Sequence, residues 1–97
     1  MIYLFSRMHT HNFEGSTSVN DLHRHYYKGT TSANPNVPGH THYMSDNTTY
    51  NDGHTHRIEI RTDPEIRARG GHTHYYRGMT TLNDGHVHYF DGYTSVY

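Results

Sequence analysis

The stretch from residue 72 to residue 94, HTHYYRGMTTLNDGHVHYFDGYT, places a His-x-His pair on each side of an Asn-Asp-Gly sequence. Counted from His72, alternate residues are histidine, histidine, a bulky apolar residue, glycine and threonine, and the same order follows His86. Side chains two positions apart in a β-strand point to the same side. Asn-Asp-Gly tolerates the positive φ angles of a tight turn. The stretch therefore predicts a β-hairpin with its histidines and apolar residues on one face.

This pattern occurs three times in the chain. All twelve histidines fall into six His-x-His pairs, whose first members are separated by 14, 17, 14, 18 and 14 residues. The spacing indicates a repeat of about 31 residues. We predict an extra N-terminal strand over residues 1–8 and three hairpin repeats over 9–39, 40–71 and 72–97, which together form one domain. The links at 32–39 and 63–71 are predicted to be loops, and no segment has helical periodicity.

We therefore predict an all-β fold in which the His-x-His pairs face a narrow interior. The alternation of inward positions extends to Val19, Tyr50 and Leu82, and glycine at inward positions indicates closely spaced backbones. The three hairpins form either a pseudo-threefold arrangement within one chain or a trimer of chains. Leucine, isoleucine, valine and phenylalanine number only 14 of the 97 residues. Because a globular core usually needs more than ~20%, the fold requires another source of stability, such as a metal or a partner chain.

Composition excludes several classes of protein. The chain has no cysteine, which rules out disulfides, iron–sulfur clusters and thiolate zinc sites. Its eight basic residues are scattered, so no nucleic-acid interface is predicted. The longest apolar run, residues 2–5, is far shorter than the ~20 residues of a membrane span, and no secretory signal is evident. We expect an extracellular, cell-surface or virion location rather than a cytoplasmic one.

The histidine pairs predict binding of a transition metal, because imidazole is a good ligand for iron, zinc, nickel and copper. Two histidines two residues apart on one strand can reach the same ion. A site built from three such pairs has six nitrogens and no vacant position, which is typical of structural rather than catalytic metals. The candidate metal ligands are His9, His11, His23, His25, His40, His42, His54, His56, His72, His74, His86 and His88. No catalytic residue is predicted.

Three geometries satisfy this pattern. In one chain, the three pairs that open the repeats meet at one end and the three pairs after the turns meet at the other, which gives two ions roughly 30 Å apart. In a trimeric needle, each pair meets its copies from two other chains, which also gives about two ions per chain. Tetrahedral sites of four histidines would give three ions per chain.

The repeated motif H-x-H-x-[YF]-x-G-x-T, with Asn-Asp-Gly-His between its copies, resembles the YmaF family of small histidine-rich bacterial repeat proteins. The resemblance covers residues 9–97. The chain departs from the motif at Leu22, Asp46 and Ile60, where glycine is expected, and in its arginine-rich link at 67–69. The recurring Gly-His-Thr-His is also similar to the receptor-binding needle of phage long tail fibres. That likeness implies that all twelve histidines are metal ligands around iron in trimers of extended chains.

These features predict a metal-stapled structural protein that self-assembles into a fibre, filament, needle or coat, as a homotrimer or a helical filament. A metal storage or buffering protein is the alternative. A cupin-like metalloenzyme is a second alternative, but it needs a carboxylate beside the histidines. Glu14, Glu59 and Glu65 occupy outward or loop positions, so no enzyme is predicted. The recurring threonines are assigned to strand packing and the Asn-Asp-Gly sequences to turns.

Overall fold

The computed structural model describes residues 7–97, and secondary structure in this range consists of β-strands and turns with no helix. The all-β class is therefore confirmed for these residues. The molecule is elongated, with extents of 51 × 22 × 16 Å. The strands are β1 (Met8–His9), β2 (Asn12–Ser16), β3 (Tyr26–Thr30), β4 (Asn34–Pro35), β5 (Tyr43–Asn47), β6 (Arg57–Arg61), β7 (Glu65–Ala68), β8 (Gly71–Met79) and β9 (Tyr89–Tyr93).

Three antiparallel hairpins form the body of the molecule: β2 with β3, β5 with β6, and β8 with β9. Each hairpin closes through a two-residue turn, with Asn20 opposite His23, Asn51 opposite His54, and Asn83 opposite His86. Both turn residues have positive φ in every case, as a type I′ turn requires. The hairpins predicted from Asn-Asp-Gly are thus present at all three places, including the first, where Leu22 replaces glycine.

A β-bulge interrupts each hairpin just before its turn. In the first hairpin the Thr17 amide donates to the His25 carbonyl, and the Asn20 amide donates to the His23 carbonyl. Two residues separate Thr17 from Asn20, but only one separates His23 from His25. The extra residue shifts the inward and outward alternation of the first strand by one position. For this reason Val19 is exposed, and so are its equivalents Tyr50 and Leu82, which the alternation had placed inward.

The links contain more strand than expected. In the link predicted to be a loop at 63–71, β7 pairs antiparallel with the start of β8, and the turn between them has Gly70 at φ 83°. The two-residue strands β1 and β4 also pair. Of the extra strand predicted over residues 1–8, residues 1–6 lie outside the described residues, and Met8 belongs to β1. An arginine-rich link can form a strand here because β8 offers it a free edge.

Each hairpin is joined to both of the others by backbone hydrogen bonds. Near the turns, the amides of Thr49, Thr81 and Ser18 donate to the carbonyls of Tyr26, Arg57 and Tyr89, respectively. At the opposite end, the amides of Ser32, Asp63 and Ser95 donate to the carbonyls of Tyr43, Tyr75 and Asn12. In the second set the first hairpin donates to the second, the second to the third, and the third to the first, whereas near the turns each donation runs in the opposite direction. The three hairpins therefore form a closed bundle around a common interior.

The middle of this interior is a small apolar core to which every hairpin contributes two buried side chains. An ideal Cβ at Gly92 would lie 2.7 Å from the tyrosine hydroxyl opposite to it, so glycine leaves room for the ring. In the second hairpin, Asp46 and Ile60 replace glycine, and they lie opposite Ile58 and Met44 rather than aromatic rings. The smaller partners compensate for these departures from the motif. The core residues are Phe13, Tyr27, Met44, Ile58, Tyr76 and Phe90.

Candidate metal centres

Six histidines meet at the end of the molecule opposite the hairpin turns, and we call this group the base cluster. Each repeat contributes the pair that opens it, and all six residues are buried. Their ligand nitrogens all lie within 4.8 Å of one another. The base cluster consists of His9, His11, His40, His42, His72 and His74.

The other six histidines form an equivalent group next to the turns, the tip cluster. Their ligand nitrogens also lie within 4.8 Å of one another. The second histidine of each pair is buried, and the first keeps 10–12% of its side chain exposed. The tip cluster consists of His23, His25, His54, His56, His86 and His88. The structure thus gathers all twelve candidate ligands into two groups of six within one chain. It does not divide them into groups of four.

The Nδ1 atoms of eleven histidines contact a backbone carbonyl oxygen at 2.8–3.4 Å. A carbonyl oxygen can only accept a hydrogen bond, so Nδ1 must carry the proton. In a neutral imidazole, Nε2 is then left with a free lone pair. The carbonyls belong to Arg7, Ser18, Asp21, Ser32, Val37, Thr49, Asp52, Asp63, Thr81, Asp84 and Ser95.

These Nε2 atoms point at one another. Neighbouring Nε2 atoms are 3.1–3.2 Å apart in the base cluster and 3.0–3.3 Å apart in the tip cluster. Two lone pairs cannot hydrogen-bond to each other, and burial without a partner is costly for a polar atom. The Nε2 atom of His74 is buried and has no hydrogen-bond partner at all. A cation at the centre of each cluster would satisfy these lone pairs.

The spacing of the nitrogens fits an octahedral metal ion. In a regular octahedron with neighbouring nitrogens 3.0–3.3 Å apart, the centre lies about 2.2 Å from each nitrogen, close to ordinary metal–imidazole distances. Opposite nitrogens would then be about twice that far apart, within the 4.8 Å limit observed. Either cluster could hold one metal ion. That the twelve histidines bind metal stays a prediction.

Six threonines that the sequence assigned to strand packing support the histidines directly. The backbone amide of His42 donates to the Thr62 hydroxyl at 3.0 Å, and the second histidine of every pair makes the same contact. Thr17 then donates its hydroxyl to the Ser18 carbonyl, which also accepts from Nδ1 of His88. The regular recurrence of threonine in all six half-repeats was the signal for this role. The supporting threonines are Thr17, Thr31, Thr48, Thr62, Thr80 and Thr94.

The turn aspartates also have a second role that the sequence did not reveal. The carboxylate of Asp52 lies 3.2 Å from Nδ1 of His23, across the boundary between two hairpins. The Asp84 carboxylate likewise lies 3.4 Å from Nδ1 of His54. The Asp21 carboxylate lies 3.5 Å from Nδ1 of His86. A carboxylate at the outer nitrogen of a ligating histidine makes the inner nitrogen a better donor, so these aspartates suit a cation in the tip cluster.

The base cluster is covered instead by a tyrosine. The ring of Tyr97 stacks on His9 with centroids 4.4 Å apart and an interplanar angle of 21°. The backbone amide and carbonyl of Tyr97 both bond to His72, at 2.9 and 3.0 Å, which fixes the ring in place. A carboxylate oxygen of Glu65 lies 3.7 Å from Nδ1 of His40.

Burial lowers the pKa values of histidines in both clusters. For His42, desolvation lowers the pKa to about 4, the Ser32 carbonyl opposes the shift, and neighbouring histidines add to it. Desolvation and four neighbouring histidines likewise lower the pKa of His72 to about 4. The pKa is also lowered, again chiefly by burial, for His9, His11, His25, His56, His74 and His88. Near neutral pH these imidazoles are therefore uncharged and available to a metal.

Comparison with known proteins places the chain in a family. No helix within residues 7–97 is long and apolar enough to cross a membrane. No curated protein and no solved structure matches the chain. The family model for YmaF, described as "Spore germination protein GerY/YamF", matches residues 6–96. The resemblance carried by the histidine motif is thereby confirmed, and the chain belongs to the YmaF family.

Proposed function

We propose that this protein is a metal-stapled structural β-repeat protein that self-assembles, with one transition-metal ion in each histidine cluster. The observation that carries the proposal is the set of Nε2 lone pairs that converge at 3.0–3.3 Å while the Nδ1 atoms are held by carbonyls. An ion of iron, zinc, nickel or copper would satisfy these atoms at once. The three hairpins would then be related by a pseudo-threefold axis through both ions.

A structural role for the ions follows from the number of ligands. Six imidazoles leave no open position, and catalytic metals usually keep one for water or substrate. The described residues contain only six fully buried apolar side chains, a small core for a chain of this length. An ion that ties all three hairpins together at each end would supply the missing stability, because metal binding to a folded site adds directly to folding free energy.

The enzyme alternative receives less support from the site. A cupin-like centre needs a carboxylate that reaches the metal side of the imidazoles. The nearest carboxylates in the described chain, those of Asp21, Asp52, Asp84 and Glu65, lie beside Nδ1 atoms, on the outer side of the rings. Glu14 and Glu59 are exposed on the strands. We therefore propose no catalytic activity.

Metal storage remains a second candidate because of one observation. The first histidine of each tip pair keeps 10–12% of its side chain exposed, whereas no base histidine is more than 8% exposed, so the tip cluster lies slightly closer to solvent. A storage protein should release and rebind both ions while it stays folded. A stapled protein should unfold at a much lower temperature and denaturant concentration once the ions are removed.

The family description names spore germination. We propose that this chain contributes to that process as a structural component. Cells that lack the chain would then germinate more slowly, and the double variant His42→Ala with His56→Ala would fail to restore the rate. If this variant restored the germination rate, the metal clusters would not be needed for germination.

Native mass spectrometry tests the central proposal. The protein is purified without added metal, and no metal-affinity column is used. Two ions on each 11.3 kDa chain are expected, in an acid-labile and chelator-sensitive form. Thr55→Ala is the matched control for His54→Ala with His56→Ala, since exposed Thr55 stands between these two ligands. A folded, metal-free chain that binds no added iron, zinc, nickel or copper would overturn the proposal.

A further inference from the structure

Leu22 occupies an unfavourable place in the first turn. Its φ is 67°, in the left-handed region that leucine rarely adopts, and its side chain is 98% exposed. Gly53 and Gly85 take the equivalent positions at φ 83° and 82°, where glycine has no such penalty. Leu22 thus strains the backbone and buries no apolar surface in return. Nothing among residues 7–97 accounts for leucine at this position, which favours a role in contact with another molecule.

Three further exposed apolar residues lie next to the turns at this end of the molecule. Val19, Tyr50 and Leu82 occupy the same position in the three hairpins, directly before Asn-Asp, and the bulges turn them outward. They are between 55 and 72% exposed. We call these four residues the tip crown. Apolar side chains gathered at one end of a soluble molecule indicate a binding surface.

The opposite end of the molecule is apolar as well. Met8 precedes the first base histidine, Ile66 lies opposite Thr73, and Val96 and Tyr97 follow the last hairpin. Their exposed fractions lie between 42 and 62%. We call Met8, Ile66, Val96 and Tyr97 the base face.

The two ends differ in the charge around their apolar residues. The exposed carboxylates of Asp21, Asp52 and Asp84 surround the tip crown, with Arg24 as the nearby basic residue. The base face is flanked by the exposed residues Arg7, Arg67 and Arg69, and by the acids Asp63 and Glu65. Counted over these side chains, the tip carries a net charge of −2 and the base a net charge of +1. An ion in each cluster would add the same charge to both ends and leave this difference unchanged.

We propose that the tip crown of one chain docks onto the base face of a second copy, head to tail. Like ends would place acidic residues against acidic residues, whereas unlike ends pair opposite charges around an apolar centre. A contact between two different surfaces leaves one free tip and one free base, so it continues into a linear filament unless it closes into a ring. This inference rests on the self-assembly proposed above and specifies its geometry. It does not depend on which metal is bound.

The size of the ends sets the expected strength of the contact. The transverse extents of 22 × 16 Å limit each end to about 350 Å², so the total buried area falls below that of a standard stable interface. Each single contact should therefore be weak. Assembly should depend steeply on protein concentration and on salt, because the flanking charges are exposed.

Leu22→Gly gives the sharpest test, because it should have opposite effects on folding and on assembly. Removing the strain should raise Tm by about 4–8 °C. The loss of the exposed leucine should weaken self-association at least tenfold, as measured by sedimentation velocity from micromolar to millimolar protein. Met79→Ser is the matched control, since Met79 is also exposed but lies on the side of β8, and it should associate like the wild type.

Arg67→Glu with Arg69→Glu should also weaken association.

Each sample is analysed for bound metal, so that failure of the metal proposal is distinguished from failure of this one. Two ions with no self-association at millimolar protein would overturn the docking proposal and leave the metal clusters intact. Equal association of Leu22→Gly and Met79→Ser would overturn it too. So would binding of the wild type, but not Leu22→Gly, to phosphatidylcholine vesicles without self-association, because the tip crown would then meet a lipid surface.

Discussion

The base and tip clusters are built from the same six-imidazole set but differ in their surroundings. In the base cluster all six histidines are buried and Tyr97 stacks over one of them. In the tip cluster three histidines are slightly exposed, and three aspartates lie beside their outer nitrogens. The spacing of the Nε2 atoms is nearly identical in the two clusters. Any difference in metal affinity or in the rate of metal release must therefore come from the residues that cover the ligands and from the charges beside them. The chain thus provides an internal comparison of two centres within one fold.

Loss of ligands should have the largest effect and should separate the two clusters. His42→Ala with His74→Ala should remove the base ion, and His25→Ala with His56→Ala should remove the tip ion. A structural metal site is typically worth about 10 kcal/mol, so either pair should abolish cooperative folding or lower Tm severely. Urea unfolding together with ion counting measures both effects. The control Thr41→Ala should leave both ions bound, and a similar loss in that control would refute the inward assignment of the histidines.

Acid should destabilise the metal-free protein, and most strongly through the base cluster. The pKa values of His42 and His72 fall from 6.5 to about 4 on folding, so the unfolded chain binds more protons between these values. Stability is therefore fully present above about pH 6.5 and declines as the pH falls toward 4. Each unit of pKa shift corresponds to about 1.4 kcal/mol. Denaturant unfolding at pH 7.5 and pH 5 checks the sign, and equal stability at both values would contradict it.

Chelation should empty the tip before the base. The first histidine of each tip pair is slightly more exposed than any base histidine, and Tyr97 covers the base cluster. Release followed in excess chelator should show two phases of equal amplitude. Tyr97→Ala should accelerate the slow phase about tenfold and leave the fast phase unchanged. If both ions left the wild type in a single phase, the covering of the base cluster by Tyr97 would not control the rate of metal release.

Removal of a turn carboxylate should have the smallest effect. Asp52→Asn keeps the side-chain shape but loses the charge beside Nδ1 of His23. Loss of such an outer partner typically lowers metal affinity about tenfold or somewhat more, and here it should do so in the tip cluster alone. Competition with a chromophoric chelator measures the two affinities. Glu59→Gln is the control, because Glu59 is exposed on β6, where it contacts Tyr43 and Arg57 rather than a histidine. An equal loss of metal affinity in the base cluster of Asp52→Asn would show that Asp52 does not act on the tip cluster specifically.

The sequence predicted the hairpins and the inward histidines because both depend on local pattern. The two-residue period fixes which side chains share a face, and Asn-Asp-Gly fixes the turns. Whether six-histidine groups form within one chain or among three could not be derived, since contacts between hairpins are tertiary. The carbonyls that accept from Nδ1 of the second histidine in each pair could not be derived for the same reason. They come from neighbouring hairpins, as with Ser95 for His11.

The bulges, in contrast, were within reach of the sequence. Inward residues on both strands of the first hairpin carry odd numbers, from His9 to Thr17 and from His23 to Thr31. Directly paired residues on one face therefore have numbers with an even sum. A two-residue turn at 21 and 22 demands an odd sum, because it pairs Asn20 with His23. Only an extra residue on one strand reconciles the two, and that residue turns Val19 outward.

Every hairpin supplies two histidines to the base cluster and two to the tip cluster. A single hairpin therefore cannot detach without opening both centres at once. Repeat proteins commonly unfold in parts, because each repeat contacts only its neighbours. Here all three repeats share both histidine clusters, so they should open and unfold together as one cooperative unit. Amide hydrogens in β2, β5 and β8 should then exchange with solvent through one common opening event, with the same free energy in each repeat.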